Sequence, residues 1–407
     1  MMTSNNLMDA PVLEVSQNPI ISLQELGAKL TSDNKDIVFF TGAGFSKAWN
    51  SDYPTGLSLF SINFNSPETK YNFLVLADKL HIPRPSKDIE DAILEKIELE
   101  RKKDENEIDN LALFKLELEL KEKNYDKQCY DYFSEIKYHL DLYKKYPGML
   151  PNFLDQTLIN GIESEIKSFV RKRFCSITER DKPLDVTYTS KGDQNIINFF
   201  KKIKNSGSSL SFISTNYDFI IEKIFHGFGV RSLDRGIIER RSLLEYEWNN
   251  SDTGLYKLNG GFEIFTNLSG YYIDYNKSAT KQRDIEWDAP CIIIPSQEQD
   301  YSNKYFENCF IKASNKLRES SILVFIGYSL PVEDNAIRFL LKNFVDCSSN
   351  QLRSKEVYVI SRDVDGALNI LERVKDLFPR LLESGEQHAI KALNGSFNEL
   401  CELISND

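Results

Sequence analysis

The 407-residue chain has little of what usually announces metal or thiol chemistry. It holds four histidines (His81, His139, His226, His388) and six cysteines (Cys129, Cys175, Cys291, Cys309, Cys347, Cys401), none paired at C-x-x-C spacing. A structural zinc site needs clustered thiolate and imidazole ligands, so no metal is expected, and the cysteines read as reduced, mostly buried thiols. Apolar runs are short, Ile322–Ile326 being among the longest, against the roughly 20 residues of a membrane helix. No membrane association is therefore expected. The start, MMTSNNLMDAPVLEV, has neither the basic nor the apolar region of a secretory signal, so a cytoplasmic location is expected. Positive charge is in deficit, with 50 Lys+Arg against 61 Asp+Glu and a formal charge of −11. That balance argues against broad electrostatic attraction to nucleic acid, and no direct sequence-specific binding to it is expected. No G-x-x-x-x-G-K-[ST] run occurs, which leaves a P-loop NTPase without support.

What is present suits a packed core. The chain is 41% hydrophobic and 12% aromatic, far from a disordered composition, and its length fits one large domain with an insertion or two modest domains. Residues 1–20 are polar and aperiodic, the pattern of a flexible N-terminal tail. Residues 21–30 carry a helical spacing, and Asp36–Thr41 is an apolar, β-branched and aromatic run ending in Gly42-Ala43-Gly44. Such a run suits a strand buried on both faces of a parallel sheet.

The texture changes near Ser86. Of the 61 residues from Ser86 to Tyr146, 12 are Lys or Arg and 17 are Asp or Glu. Ile89, Ile93 and Ile97 recur every fourth residue, as do Leu116 and Leu120, while Phe133, Ile136, Leu140 and Tyr143 alternate at three and four. Leu154, Leu158, Ile162, Ile166 and Val170 start a further stripe after the Pro147-Gly148 break. These periods predict amphipathic helices with charged outer faces, and residues 61–190 read as a mainly helical insertion. From residue 191 the α/β texture returns. Helices are expected at Asn195–Asn205, Asp218–Phe225, Asn335–Phe344 and Asp365–Leu377, and strands at Leu210–Ser214, Leu255–Leu258, Cys291–Ile294, Ile322–Ile326 and Val357–Ile360. The expected fold is α/β, a Rossmann-like doubly wound parallel sheet formed by 21–60 and 191–407, with a large helical insertion and no zinc module.

In such sheets ligands bind beyond the carboxyl ends of the strands, so the turns there hold the candidate chemistry. Gly42-Ala43-Gly44-Phe45-Ser46 is either a phosphate-approaching turn or a plain tight one. Asn216, in Thr215-Asn-Tyr-Asp218, can hold a sugar hydroxyl or a water through its amide, or can cap a turn. Asn259, in Lys257-Leu-Asn-Gly-Gly261, follows another strand. Phe325-Ile-Gly-Tyr-Ser-Leu-Pro331 repeats the pattern: Gly327 and Ser329 offer contacts to a nucleotide, and Asp334 is placed to cap the next helix. Ser361, Arg362 and Asp363 end Val357–Ile360, where a carboxylate accepts ribose hydroxyls or caps a helix.

In order, GAGFS, STNYD, KLNGG, IIIPS, GYSLP-x-x-D-x-x-IRFLL and VYVISRD resemble the sirtuin-like family, and within it the bacterial NAD-consuming members of anti-phage defence. The resemblance covers about Ile37 to Phe60 and Phe199 to Leu403. It implies a Rossmann-like NAD domain, with Gly42, Ala43, Gly44, Phe45 and Ser46 wrapping the pyrophosphate and Thr215 beside a catalytic Asn216 that holds the nicotinamide ribose and the attacking water. Gly327, Ser329, Ser361, Arg362 and Asp363 match the segments around the adenosine half. The four-cysteine zinc module of sirtuin deacylases is missing, which disfavours protein deacylation.

One departure bears on the chemistry. The family pattern Lys-Leu-His-Gly-Ser, whose histidine acts as general base, is here Lys-Leu-Asn-Gly-Gly. An amide takes up no proton near neutral pH, so Asn259 lacks that role. Hydrolysis survives on paper, because nicotinamide leaves a cationic pyridinium as a neutral group and needs no general acid. Asp218, Glu298 and Asp300 are the carboxylates at strand-end turns available to substitute, and Asp218 joins Asn216 and Asn259 as a catalytic candidate. The resemblance implies an NAD+ glycohydrolase with NAD as substrate, working as a homo-oligomer or with a HerA-type ATPase or an Argonaute. The other reading is a catalytically impaired NAD- or ADP-ribose-binding scaffold or sensor subunit.

Overall fold

The computed structural model describes residues 19–64, 66, 69–86, 110–178, 181, 190–230, 233–236, 239–240, 246–247, 253–267, 270–275, 289–294, 299–383 and 389–406. In chain order the elements begin with β1 (Ile20–Ile21), α1 (Leu23–Leu30), β2 (Asp36–Thr41) and α2 (Ala43–Trp49). A 3-10 turn (Ser58–Phe60) follows, and the insertion then holds α3 (Asn72–Lys79), α4 (Asn110–Lys145) and α5 (Gln156–Thr178). The chain continues with α6 (Lys191–Asn205), β3 (Ser209–Ser214), α7 (Ile220–Gly227), β4 (Glu239–Arg240), β5 (Tyr246–Glu247), β6 (Gly254–Lys257), β7 (Ile264–Asn267) and β8 (Gly270–Ile273). It closes with α8 (Lys304–Glu319), β9 (Ile322–Ile326), α9 (Asn335–Leu341), α10 (Ser349–Leu352), β10 (Glu356–Ile360), α11 (Val364–Leu377), α12 (Pro379–Glu383), β11 (Ile390–Leu393) and α13 (Phe397–Asn406).

Seven strands form one sheet in the order β1-β11-β10-β9-β2-β3-β6, every pair parallel. The chain leaves the interior strand β2 toward β3 and β6, then returns to β9 on the other side of β2. This reversal is the topological switch point, where ligands enter doubly wound sheets. Side-chain alternation explains why the strands read as unbroken apolar runs. Ile37 and Phe39 face one core with α1, α6, α7 and the insertion, while Val38 and Phe40 face a second core with α8, α9 and α11. Both faces are buried, so Ile37–Phe40 and Ile322–Ile326 carry apolar side chains in both registers.

The helices start where their caps allow. Ser22 accepts from the Glu25 N–H, Ser190 and Asp193 form a capping box, and Asp363 accepts from the Gly366 N–H. The insertion is built into the first core. Phe133 stacks on Phe169 at 5.2 Å and lies 5.1 Å from both Phe60 and Phe73. Ile136, Ile166 and Val170 are buried in the same cluster as Phe39 and Phe200.

Three sequence expectations change. Ile20, placed in the tail, pairs with Ala392 at the sheet edge. Cys291–Ile294 is no strand; Ile292 makes one isolated bridge to Gly260. Leu158 is 40% exposed, although its stripe partners Leu154, Ile162, Ile166 and Val170 are buried. The Ile89-Ile93-Ile97 stripe lies outside the described residues. No helix among those described is long and apolar enough to cross a membrane.

Phe39 is fully buried on β2, with Phe200 and Phe212 at 5.1 and 5.3 Å. Phe39→Ala should destabilise the fold by about 3–5 kcal/mol, the usual cost of an aromatic-sized core cavity; chemical denaturation measures it.

Candidate functional site at the strand ends

Register brings the candidate turns to one edge. Thr41 pairs with both Ser214 and Ile326, Ser214 with Lys257, and Ile326 with Ile360. The segments that follow (Gly42–Ser46, Thr215–Asp218, Leu258–Gly261, Gly327–Ser329 and Ser361–Asp363) therefore leave the sheet side by side.

The turns after β2 and β9 pack backbone on backbone. Gly42 N–H donates to the Ile326 carbonyl at 3.1 Å, and Gly44 N–H to the Gly327 carbonyl at 2.9 Å. A Cβ on Gly44 would lie 2.7 Å from Gly327 Cα, and one on Gly327, at φ +62°, would lie 2.3 Å from Phe45 N. Side chains are excluded here by the neighbouring turn itself. Gly42, Gly44 and Phe45 spend their N–H groups inside the protein, so what the glycines supply to a ligand is a bare floor. The Phe45 ring lies in the core, against Phe200 and Phe397.

Asn216 sits over this floor in a fixed orientation. Its Nδ2 donates to the Gly42 carbonyl and to Ser46 Oγ, both at 2.8 Å. A carbonyl only accepts, so the amide nitrogen must point that way, and Oδ1 is left as an acceptor. Ser46 in turn donates to Asp218 Oδ2 at 2.5 Å, and Ile220 N–H donates to Oδ1 at 3.1 Å. Both oxygens of Asp218 are engaged and the residue is 4% exposed. Burial raises its carboxyl pKa, against the Ser46 bond and the Lys257 charge that lower it. Asp218 thus reaches Asn216 through Ser46, with a donor on each carboxylate oxygen.

Asn259 comes to the same place. Its Nδ2 reaches the Thr215 carbonyl at 3.4 Å, and its Oδ1 accepts from Tyr301 at 3.1 Å. The glycine after it has φ +78°, and a Cβ there would lie 1.9 Å from the Cys291 carbonyl. That glycine makes room for the protein's own chain.

Beneath the two asparagine turns lie four buried charges. Lys257 donates to the Asp218 carbonyl at 2.5 Å and to Glu263 at 2.9 Å, and stands 2.7 Å from Glu222. Arg235 bonds Glu263 and stands 3.1 Å from Glu222. Glu263 takes the hydrogen bonds, and Lys257 and Arg235 hold its carboxyl low despite its burial. Glu222 has charge proximity without hydrogen-bond geometry, and burial pushes it up to about 7.

The floor divides two clefts. One, of about 370 Å³, is lined by Asn216, Asp218, Asn259, Gln299, Tyr328 and Asp334, roofed by Tyr130 and Phe174 of the insertion. The other, of about 660 Å³, is lined by Ser361, Arg362, Asp363 and Asn398, with Lys123 of the insertion at its edge. Gly44, Thr55, Gly327 and Ser329 line both. Ala43, Ser46 and Thr215 line the first. Asp363 is exposed and caps α11, its pKa lowered by the Gly366 N–H and Arg362. The sequence reading missed Tyr130, Phe174, Lys123 and Gln299, which stand in no recognisable motif. It misassigned Asp334, which makes no side-chain cap bond to α9. Asp300 lines a separate lysine-rich cleft with Lys137, Lys144 and Lys167, and Glu298 is outside the described residues. Among those described, no group of three or more His, Cys, Asp or Glu side chains is placed to hold a metal.

Residues 210–382 match the family model of the SIR2-like domain. That stretch runs from β3 into α12 and takes in Asn216, Asn259, Gly327 and Asp363, so this part of the chain is similar to SIR2-like domains. A solved structure described as "Structural Basis for the Mechanism and Regulation of Sir2 Enzymes" aligns over 94% of this chain and 95% of its own, at 10% identity and a TM-score of 0.37. No curated protein matches the chain.

Removing Lys257 leaves Glu222 and Glu263 sharing Arg235 alone. Lys257→Met should cost about 3–5 kcal/mol near neutral pH. A carboxyl raised by folding favours the folded state as it gains its proton, and losing the Lys257 charge raises Glu222 further, so the deficit should shrink as the pH falls and the variant's carboxyls protonate. Denaturation at several pH values tests both statements.

Proposed function

We propose that the chain is an NAD+ glycohydrolase that splits the nicotinamide–ribose bond into nicotinamide and ADP-ribose. The SIR2-like match suggests NAD-dependent activity in general. The observation that carries the hydrolytic reading is the locked Asn216 amide. With Nδ2 tied to Gly42 and Ser46, Oδ1 is held in the cleft to accept from a ribose hydroxyl or a water.

A dinucleotide fits the arrangement. Two clefts of a size typical for small-molecule sites meet over the bare floor of Gly44 and Gly327. The nicotinamide half belongs with Asn216 and Asn259, the adenosine half with Ser361, Arg362 and Asp363, and the pyrophosphate crosses between them over Gly44, Gly327 and Ser329. NAD is the substrate, and no metal enters the reaction we propose. Nicotinamide leaves as a neutral molecule, so the site's task is to hold the ribose and to stabilise an oxocarbenium-like transition state. Thr215 and Asn259 shape the wall, Asp218 positions Asn216 through Ser46, and Tyr130 and Phe174 limit the entry of bulk water.

The cellular setting we propose rests on the motif resemblance: bacterial anti-phage defence by NAD depletion in the cytoplasm, in a homo-oligomer or with a HerA-type ATPase or Argonaute partner. A second reading, an impaired NAD- or ADP-ribose-binding scaffold or sensor, is favoured by one observation. Asn259 occupies the position of the family's base, and its amide is tied to Thr215 and Tyr301.

Nicotinamide release from NAD by the assembled complex separates the two. Wild type should release it, and Asn216→Ala should lower the rate by about 10²–10³-fold, the scale for one positioned polar group at a reacting centre. Tight NAD binding with no release would favour the scaffold; release unchanged by Asn216→Ala would place the chemistry elsewhere.

A further inference from the structure

The loss of the family's histidine at position 259 leaves the reaction without an evident proton acceptor, and the cleft contains one that the sequence had assigned to a cap. Its described lining holds two carboxylates, Asp218 and Asp334. Asp218 is buried, with an N–H or O–H on each oxygen. Asp334 stands at the N-cap position of α9 but makes no cap bond with its side chain. Its carboxylate accepts from Tyr328 Oη at 2.5 Å, its one hydrogen bond among the described residues. The side chain is partly exposed, on the wall shared with Asn216, Asn259 and Gln299.

We propose that Asp334 is the catalytic proton acceptor of this cleft, taking the proton of the water that adds to C1′ of the nicotinamide ribose. This rests on the hydrolytic reading above. The C1′–N bond breaks with its electron pair passing to the ring nitrogen, and nicotinamide leaves neutral. The water oxygen bonds to C1′, and its proton goes to Asp334 and from there to solvent. NAD+ and water thus give nicotinamide, ADP-ribose and one proton, with nothing oxidised or reduced. The same negative charge favours the oxocarbenium-like transition state.

The surroundings suit the task. The turn after β9 contributes Tyr328 and the neighbouring Glu333, α9 contributes Arg338, the loop before α8 Tyr301, the turn after β3 Tyr217, and the insertion helix α4 Tyr130; the charge of Asp334 is felt at all four tyrosines. Tyr301 in turn hydrogen-bonds Asn259, which ties the carboxylate's surroundings to the asparagine pair. Burial, and then Glu333, raise the Asp334 pKa while the Tyr328 bond lowers it. The net upward direction improves a carboxylate as a base.

The test measures kcat, KM and the pH profile of nicotinamide release by the full chain in its active assembly. Wild type, Asp334→Asn, Asp334→Glu and Asn216→Ala are compared. Wild-type kcat should rise with pH through the titration of Asp334. Asp334→Asn should lose that limb and about 10²–10⁴-fold in kcat, with KM little changed, and Asp334→Glu should recover part of the rate. An Asp334→Asn enzyme with wild-type kcat, or one altered in KM alone, overturns the assignment. So does a wild-type profile with no acidic limb, a result that needs no variant to fold. If Asn216→Ala is inactive while Asp334→Asn is not, the hydrolytic reading stands and only Asp334 falls. If wild type binds NAD and releases no nicotinamide, that reading fails first and Asp334 falls with it.

Discussion

The contact between the turns after β2 and β9 is the constraint on which the rest of the site depends. Gly44 and Gly327 touch through bare backbone, with Gly42 and Gly44 N–H groups spent on the carbonyls of Ile326 and Gly327. Because the turns are that close, one continuous floor runs beneath both clefts at the switch point of the sheet. The same contact fixes the Gly42 carbonyl, and that carbonyl fixes Asn216. A methyl group at Gly327 would do more than fill space: it would part the turns, split the floor and release the amide from one of its two acceptors.

A second layer stiffens this geometry from below. Lys257 grips the Asp218 carbonyl while its charge is shared between Glu222 and Glu263. It therefore joins the backbone that carries Asn216 to the strand that carries Asn259. Glu222 shares the same two cations, with Lys257 at 2.7 Å and Arg235 at 3.1 Å. Breaking a buried ion pair on one side is costly because it strands the other charge. That cost is tolerable where the positions of two turns must not drift.

The sheet was legible because burial on both faces writes itself as uninterrupted apolar runs, as in Ile37–Phe40 and Ile322–Ile326. The strand-end turns were legible for a related reason, since such runs end abruptly in small and polar residues. Cys291–Ile294 misled because three isoleucines in a row look like a buried strand, whereas here the segment lines the lysine-rich cleft and makes a single bridge to Gly260. Ile20–Ile21 went unread because a two-residue edge strand has no period. Asp334 was mistaken because an acidic residue before a helix is usually its cap, and only three-dimensional placement reveals that Tyr328 takes the carboxylate instead. The glycines were identified correctly as special, yet their N–H groups serve the protein's own carbonyls.

The insertion changes most in meaning between sequence and structure. Its periods read as amphipathic helices with charged outer faces, and the outer face of α4 carries ion pairs such as Lys121–Glu117. Its inner face belongs to the core of the sheet domain and reaches both clefts. Tyr130 roofs the Asn216 cleft, and Lys123, seven residues earlier on the same helix, borders the Arg362 cleft. Two turns of one helix thus reach both clefts. Any tilt of α4 against the sheet must alter the two clefts together, so their shapes are mechanically linked.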